Sequence, residues 1–454
     1  MGLSHIARYR RQRTRLWRGG QACHKTMHPR GYVATVTSPL EVSGLKPSNR
    51  TWPGLLEMTM NVTFSGFSGA TAFALPETPT TERLEAFISA TDFEQPTLVL
   101  DRQLVAAQYA ALAHGLGNAT IHYAMKANPA REIMETLRDL GSGFDAASRS
   151  EIEHCLALGI PASRISFGNT IKRARDIAFA HQAGVTLFAA DAEEELEKIA
   201  AHAPGAQVYI RILVGATEAD WPLSRKFGCA PERALELLDR ANALGLDSLG
   251  LSFHVGSQTR RADMWVETLN RVAAVWAEAH RAGHALRMIN IGGGFPVDYG
   301  DGAEAPGTYA AEVMRMVRAR FGDQVEIMAE PGRGLVGAAG IIAAEVVLVS
   351  RKSDSDLCRW VYLDIGKFSG LAETEDEAIR YEITTERDHE ALGPCILAGP
   401  SCDSVDVLYE KRPVMLPLGL QAGDKVMIHA TGAYTSTYAS VGFNGFPPLA
   451  VVVI

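Results

Sequence analysis

Eight short apolar runs, each followed by a helical stretch, occupy residues 120 to 330 and constrain the fold more than any other feature of the chain. They read TIHYAM (120–125), GFDAA (143–147), RISFG (164–168), VTLFAA (185–190), QVYIRI (207–212), LGLSFHV (249–255), MINIGG (288–293) and VEIMAE (325–330). The intervals carry patterns such as PAREIMETLR from Pro129, DAEEELEKI from Asp191 and PERALELL from Pro231. Proline is tolerated at a helix start, where its missing N–H has no partner to lose, and aspartate suits the positive end of the helix dipole. Apolar residues then recur at helical spacing. Strand followed by helix, eight times over, predicts a closed parallel (β/α)8 barrel of the TIM type, with a doubly wound open sheet as the weaker alternative.

After Glu330 the pattern changes to runs rich in Val, Ile and Tyr: EVVLVS (345–350), RWVYLDIG (359–366), CILAG (395–399), DKVMIHA (424–430) and LAVVVI (449–454). Few long helical stretches separate them, so residues 335–454 are expected to form a second, mainly β domain, joined by a strand from about residues 90–100 (PTLVLD). The barrel is expected over residues 100–334. A chain of 454 residues with 47% hydrophobic residues is long enough for both.

Charge is distributed unevenly. Residues 1–57 hold ten Lys and Arg against two Asp and Glu, a balance of +8, so the total of −8 leaves −16 on the remainder. The leader lacks the apolar core of a secretory signal, and it shows neither an amphipathic period nor interleaved aromatics. It is read as disordered or as a non-native start, with folding resuming near Met58 or Met60. An acidic body argues against a nucleic-acid partner. The longest apolar stretch, Gly334–Val349, is shorter than the ~20 residues of a spanning helix and carries Glu345, so no membrane segment is expected. Six scattered cysteines without a CxxC pair suit a reducing, cytoplasmic location and give no metal site.

A barrel enzyme carries its reacting groups at the C-terminal ends of its strands, and the unusual residues fall there. Lys126 follows the first strand in HYAMKANP. Burial lowers a lysine pKa, which suits a Schiff-base nucleophile, although taken alone the residue is better explained as a lysine reaching solvent. Other strand ends offer Asp145, Arg211, His254, the run Gly292, Gly293 and Gly294, and Glu330. Three glycines let backbone N–H groups close on a phosphate or make a tight turn; His254 suits a core position as well as a catalytic one; Glu330 suits a rim ion pair with Arg333. Their convergence on one barrel face favours a site.

The segments YAMKAN, GFDAAS, SFHVGSQ, NIGGGFP, EPGR, GPSCDSVD, GAYT and FNGF, in this order over residues 95–454, resemble the pyridoxal-phosphate-dependent ornithine/lysine decarboxylase family, with its alanine-racemase-type barrel and C-terminal β domain. LDIGKFSGLAETEDEAIRY resembles the bacterial members. The resemblance implies decarboxylation of L-ornithine to putrescine, and also of L-lysine to cadaverine, for polyamine supply. It implies that Lys126 forms the Schiff base with pyridoxal 5′-phosphate, Glu330 pairs with the pyridine nitrogen and His254 stacks on the ring. Ser257, Gly292 to Gly294, Arg333 and Tyr434 are implied to hold the phosphate, and Asp145 and Arg211 to act electrostatically. It further implies that Cys402 reprotonates Cα and that Asp403 binds the distal ammonium, both reaching the site from the other subunit of a homodimer, with Lys226 and Asp406 pairing across the interface.

One segment departs from the animal pattern, which contacts the distal amine with an acid. An ungapped match gives Glu375 and Asp376, with Glu373 equally placed. The alternatives are a catalytically inactive regulatory homologue, against which Lys126, Glu330, Cys402 and Asp403 together argue, and a racemase or diaminopimelate decarboxylase of the same fold. For the latter Asp403 has the wrong charge.

Overall fold

The computed structural model describes residues 80–214 and 226–454, together with the backbone of a two-residue strand, β1 (Ala34–Thr35). The basic leader and the Met58 and Met60 restart lie outside the described residues. After β2 (Thr97–Leu100), eight parallel strands close into a barrel: β3 (Thr120–Ala124), β4 (Gly143–Ala146), β5 (Ile165–Phe167), β6 (Leu187–Ala190), β7 (Gln207–Arg211), β8 (Asp247–Ser252), β9 (Met288–Asn290) and β10 (Glu326–Ala329). Closure is made by β10 against β3, with Met328 opposite Thr120 and Ala329 opposite Ile121. These are the eight runs read from the sequence.

Parallel strands covered on both faces are mostly apolar, and these are, with polar residues such as Asp145, Arg211 and Asn290 at or next to the strand ends. Ala189, Tyr209, Leu249, Met288 and Met328 pack as one cluster inside the barrel. Phe144, Phe167 and Phe188 are fully buried within the main core. Helices follow the strands. The ring is completed by a helix that precedes the barrel: Arg102–Leu116 packs against Pro306–Phe321 on one side and Arg131–Asp139 on the other. Asp101 caps it by accepting from the Gln103 N–H at 2.7 Å.

The second sheet is built around β11 (Gly340–Ser350), which pairs antiparallel with β2, with β12 (Arg359–Leu363) and with a later strand, Lys425–Ile428. The segment PTLVLD therefore lies in this sheet, fully buried between β11 and the C-terminal strand Ala450–Val453. Two strands were not expected. Ile383–Thr385, here β13, pairs with Lys425–Ile428. After β14 (Leu392–Ala398) comes β15 (Val407–Pro417), which pairs with β14 alone and forms the end of the sheet order. Glu410, Lys411, Arg412 and Pro413 hide β15 from a hydrophobic reading, and an edge position is where charges and proline are tolerated in a strand.

Candidate active site

The first strand of the barrel breaks at Met125–Ala127, a single 3₁₀ turn that carries Lys126. Asn128 fastens this turn to the second domain. Its Nδ2 donates to the Gly432 carbonyl at 2.8 Å, its own carbonyl accepts from Tyr123 Oη at 2.8 Å, and the neighbouring Ala127 carbonyl accepts the Tyr434 N–H at 2.9 Å. Tyr434 holds a left-handed φ of 56°. The two domains thus meet at the lysine.

Lys126 has solvent-accessible surface yet is surrounded by protein groups at the strand ends. Burial alone would lower its pKa, as the sequence reading anticipated. The structure corrects that reading: Asp145, Tyr434 and Glu330 outweigh both burial and Arg211, and the pKa is raised. Two carboxylates beside one ammonium make the charged form the favoured one.

The carboxylates respond in turn. Burial pushes Asp145 up while Lys126 and Arg211 draw it down, and its Oδ1 is buried without a hydrogen-bond partner. Glu330 is pushed up to about 7 by burial and by the nearby Asp145. Its Oε1 accepts from Asn290 Nδ2 at 2.5 Å and from Tyr209 Oη at 3.3 Å. Neither partner was anticipated, although an asparagine ending the apolar strand Met288–Asn290 was a signal of the same kind as Lys126. Glu330 forms no rim pair with Arg333, whose carboxylate partner is Glu373.

His254 is held neutral, its pKa well below the ordinary value, first by burial and then by Arg211 and Lys126. Its Nδ1 accepts the Gly256 N–H at 3.0 Å. The next residues clamp onto the glycine run: Gln258 Nε2 donates to the Val297 carbonyl at 2.6 Å, the Val297 N–H donates back to Gln258 Oε1 at 3.0 Å, and the Thr259 N–H donates to the Gly294 carbonyl at 3.0 Å. Side chains cannot be accommodated along that run. A Cβ would lie 2.4 Å from the Phe253 carbonyl oxygen at Gly292, 2.8 Å from that of Glu330 at Gly293, and 2.6 Å from that of Gly256 at Gly294. Gly292 and Gly294 also have φ of 68° and 98°.

Arg333 stands beside this cradle, 3% exposed. Its Nε donates to Ser257 Oγ at 3.2 Å, Nη1 to Tyr299 Oη at 2.6 Å and Nη2 to Glu373 Oε1 at 2.6 Å, and its guanidinium lies 5.0 Å from the Tyr434 ring centre. Glu375 and Asp376, by contrast, are exposed and pair with Lys367 at 2.7 Å and Lys411 at 2.8 Å. Of the acids at 373, 375 and 376, Glu373 alone lies at this cluster.

Cys402 and Asp403 are exposed on a loop of the second domain, and Asp403 is not among the groups acting on Lys126. The Cys402 N–H donates to Asn444 Oδ1 at 2.8 Å. Asp406 is enclosed by its own chain. It is 3% exposed and its carboxylate is committed to its own chain, accepting from the Lys367 N–H at 2.8 Å, the Ser401 N–H at 3.1 Å and Ser401 Oγ at 2.6 Å. Gly366 and Gly399 leave it room, since a Cβ on either would lie within 2.4 Å of its oxygens. It ties its own loop with these three hydrogen bonds, two on Oδ2 and one on Oδ1. Lys226 is exposed, 4.9 Å from the Phe227 ring centre.

The cluster offers an amine, a buried carboxyl, a neutral imidazole and an anion cradle with a cation beside it. That donor set fits a phosphorylated aldehyde with a basic ring. The family model described as pyridoxal-dependent decarboxylase, pyridoxal binding domain, matches residues 102–337. The lysine/ornithine decarboxylase of Selenomonas ruminantium is 36% identical over 356 residues, covering 77% of this chain and 87% of its own length. Among solved structures, lysine/ornithine decarboxylase from Vibrio vulnificus complexed with cadaverine has a TM-score of 0.73 at 33% identity, covering 82% of this chain and 98% of that one. SrLDC in complex with PLP and cadaverine has a TM-score of 0.73 at 32% identity, covering 83% and 94%.

Proposed function

From the premise that this chain belongs to the pyridoxal-dependent decarboxylase family, we propose that it decarboxylates L-ornithine to putrescine and takes L-lysine as a second substrate. It is an enzyme whose cofactor is pyridoxal 5′-phosphate. The observation that carries the reading is the meeting of Lys126, Asp145, Arg211, His254 and Glu330 at one end of the barrel, beside the glycine cradle and Arg333. When bound, the cofactor supplies a sink for the electron pair that loss of carbon dioxide leaves on Cα.

Lys126 Nζ is the amine that would carry the cofactor. Its neighbours keep it protonated when free, while burial and Asp145 push Glu330 up to about 7. Glu330 would hold the proton on the ring nitrogen, and Asn290 and Tyr209 fix the direction of that carboxyl. His254, uncharged, offers a flat face that does not withdraw the ring's electrons. Ser257, the loop Gly292 to Gly294, Arg333 and Tyr434 would hold the phosphate.

The remaining groups come from a second copy of the chain. Cys402 would deliver the proton to Cα, and Asp403 would bind the distal ammonium of the substrate. Their exposure in this protomer, with Val405 56% and Val441 85% exposed among the described residues, supports a head-to-tail homodimer in which each loop completes the other's site. A carboxylate at the far end suits a diamino acid and opposes diaminopimelate, whose far end carries a carboxylate as well as an ammonium. The test is a product assay over ornithine, lysine, arginine and diaminopimelate, reporting kcat/KM ratios, with absorbance followed through borohydride reduction. Carbon dioxide from ornithine and loss of a visible band are expected. Absence of both, or preference for diaminopimelate, sinks the reading.

A further inference from the structure

Glu373, which the sequence also offers as a contact for the distal amine, is one of the most deeply buried acids in the described residues, 3% exposed, and its carboxylate is turned to Arg333. It sits in a short 3₁₀ segment of the second domain, Ala372–Glu377, and reaches Arg333 Nη2 at 2.6 Å. Its other oxygen, Oε2, is buried and has no hydrogen-bond partner. The charged and titratable groups acting with it are Arg333 and the hydroxyls of Tyr299, Tyr381, Tyr434 and Tyr438, of which Tyr381 Oη is likewise buried and unpartnered.

A buried carboxylate is retained at such a place only when it compensates a charge, and a buried guanidinium without an anion is costly. Arg333 has this anion already. Two further groups it touches, Ser257 and Tyr434, belong to the proposed phosphate cradle. A phosphate arriving there would meet a cation that is already paired through Nη2.

We infer that Glu373 is a resident counter-ion to Arg333: it compensates the buried guanidinium and holds it in place while the cofactor is absent, and it competes with the cofactor phosphate for that charge. Tyr299 supports the arrangement by holding Nη1 at 2.6 Å. Glu373 is thus a positioning residue that weakens cofactor retention and stabilises the cofactor-free protein. Its partner Glu377, four residues on, anchors the other end of the segment by accepting the N–H groups of Glu410 at 2.9 Å and Lys411 at 2.5 Å on β15.

The inference rests on Arg333 being a phosphate ligand, and the experiment separates the two. Glu373→Gln keeps an acceptor for Arg333 and removes the charge. Its cofactor-free form should melt lower than wild type, inorganic phosphate should restore its melting temperature while shifting wild type little, and the holoenzyme should lose cofactor on dilution about tenfold more slowly, equivalent to ~1.4 kcal/mol. Unchanged or faster cofactor loss, or a cofactor-free melt equal to wild type, overturns it. If the variant does not accumulate without cofactor, folding on supply of cofactor during expression supports the inference, and failure to fold then overturns it. Arg333→Gln is the control: if it retains cofactor as wild type does, the phosphate-ligand reading fails, whereas loss of cofactor there with an unchanged Glu373→Gln defeats the counter-ion alone.

Discussion

Lys126 shows how a residue's chemistry depends on what folds beside it. Its place at a strand end is written in the local sequence, but its protonation is set by Asp145 and Glu330, which lie 19 and 204 residues along the chain. Glu330→Gln cannot hold a proton on a basic ring, so kcat should fall by about 100-fold or more, the scale of losing one well-placed electrostatic group, while the protein still binds cofactor. Steady-state kinetics with a cofactor titration checks this; an unchanged kcat would remove Glu330 from the reaction. A second residue gives a pH signature. His122, inside the barrel with Nδ1 3.2 Å from Ser166 Oγ, is lowered to about 4, first by burial and then by Arg164. A depressed histidine contributes stability that is complete above its unfolded pKa and is lost as pH falls toward the folded one. Relative to His122→Gln, wild type should therefore lose about 3 kcal/mol between pH 6.5 and 4, following the shift at ~1.4 kcal/mol per unit, with a flat difference above pH 6.5. Chemical denaturation across that range measures it.

At the level of elements, the eight barrel strands were legible because each is a nearly continuous apolar run bounded by helix starts, the pattern that a strand covered on both faces must have. β15 was not legible because an edge strand need not be apolar: Glu410 to Pro413 fall at a register break between the pairs Leu397–Tyr409 and Cys395–Val414, where the ladder to β14 is interrupted. The role of Asp406 was hidden for a related reason. CDSVD shows an acid in a polar loop, but only the approach of Gly366 and Gly399, from the ends of two different strands, reveals that its carboxylate is enclosed. Asp406→Ala would strand the N–H groups of Lys367 and Ser401 and should destabilise the protein by about 3 kcal/mol. It should also speed alkylation of Cys402, since the loop that carries the thiol loses its tie. A melt equal to wild type would mean that Asp406 does not tie its own loop.

Across the whole molecule, the proposed dimer makes a prediction that no single chain can satisfy. Lys126→Ala and Cys402→Ala proteins, each inactive, should recover about one quarter of wild-type activity when mixed and allowed to exchange, because half of the dimers carry one intact site of two. No recovery after exchange would mean that each chain completes its own site. The sequence alone determined the barrel, the strand ends that carry Lys126, His254, the glycines and Glu330, and the likeness to a decarboxylase family, because periodicity and short motifs are local properties of the chain. The tertiary structure decided what local pattern cannot hold: that Arg333 answers to Glu373 rather than Glu330, that Asn290 and Tyr209 direct Glu330, and that Glu375 and Asp376 face outward. Charge pairing in a buried site depends on distance through space, and residues far apart in sequence acquire that distance only when the chain closes.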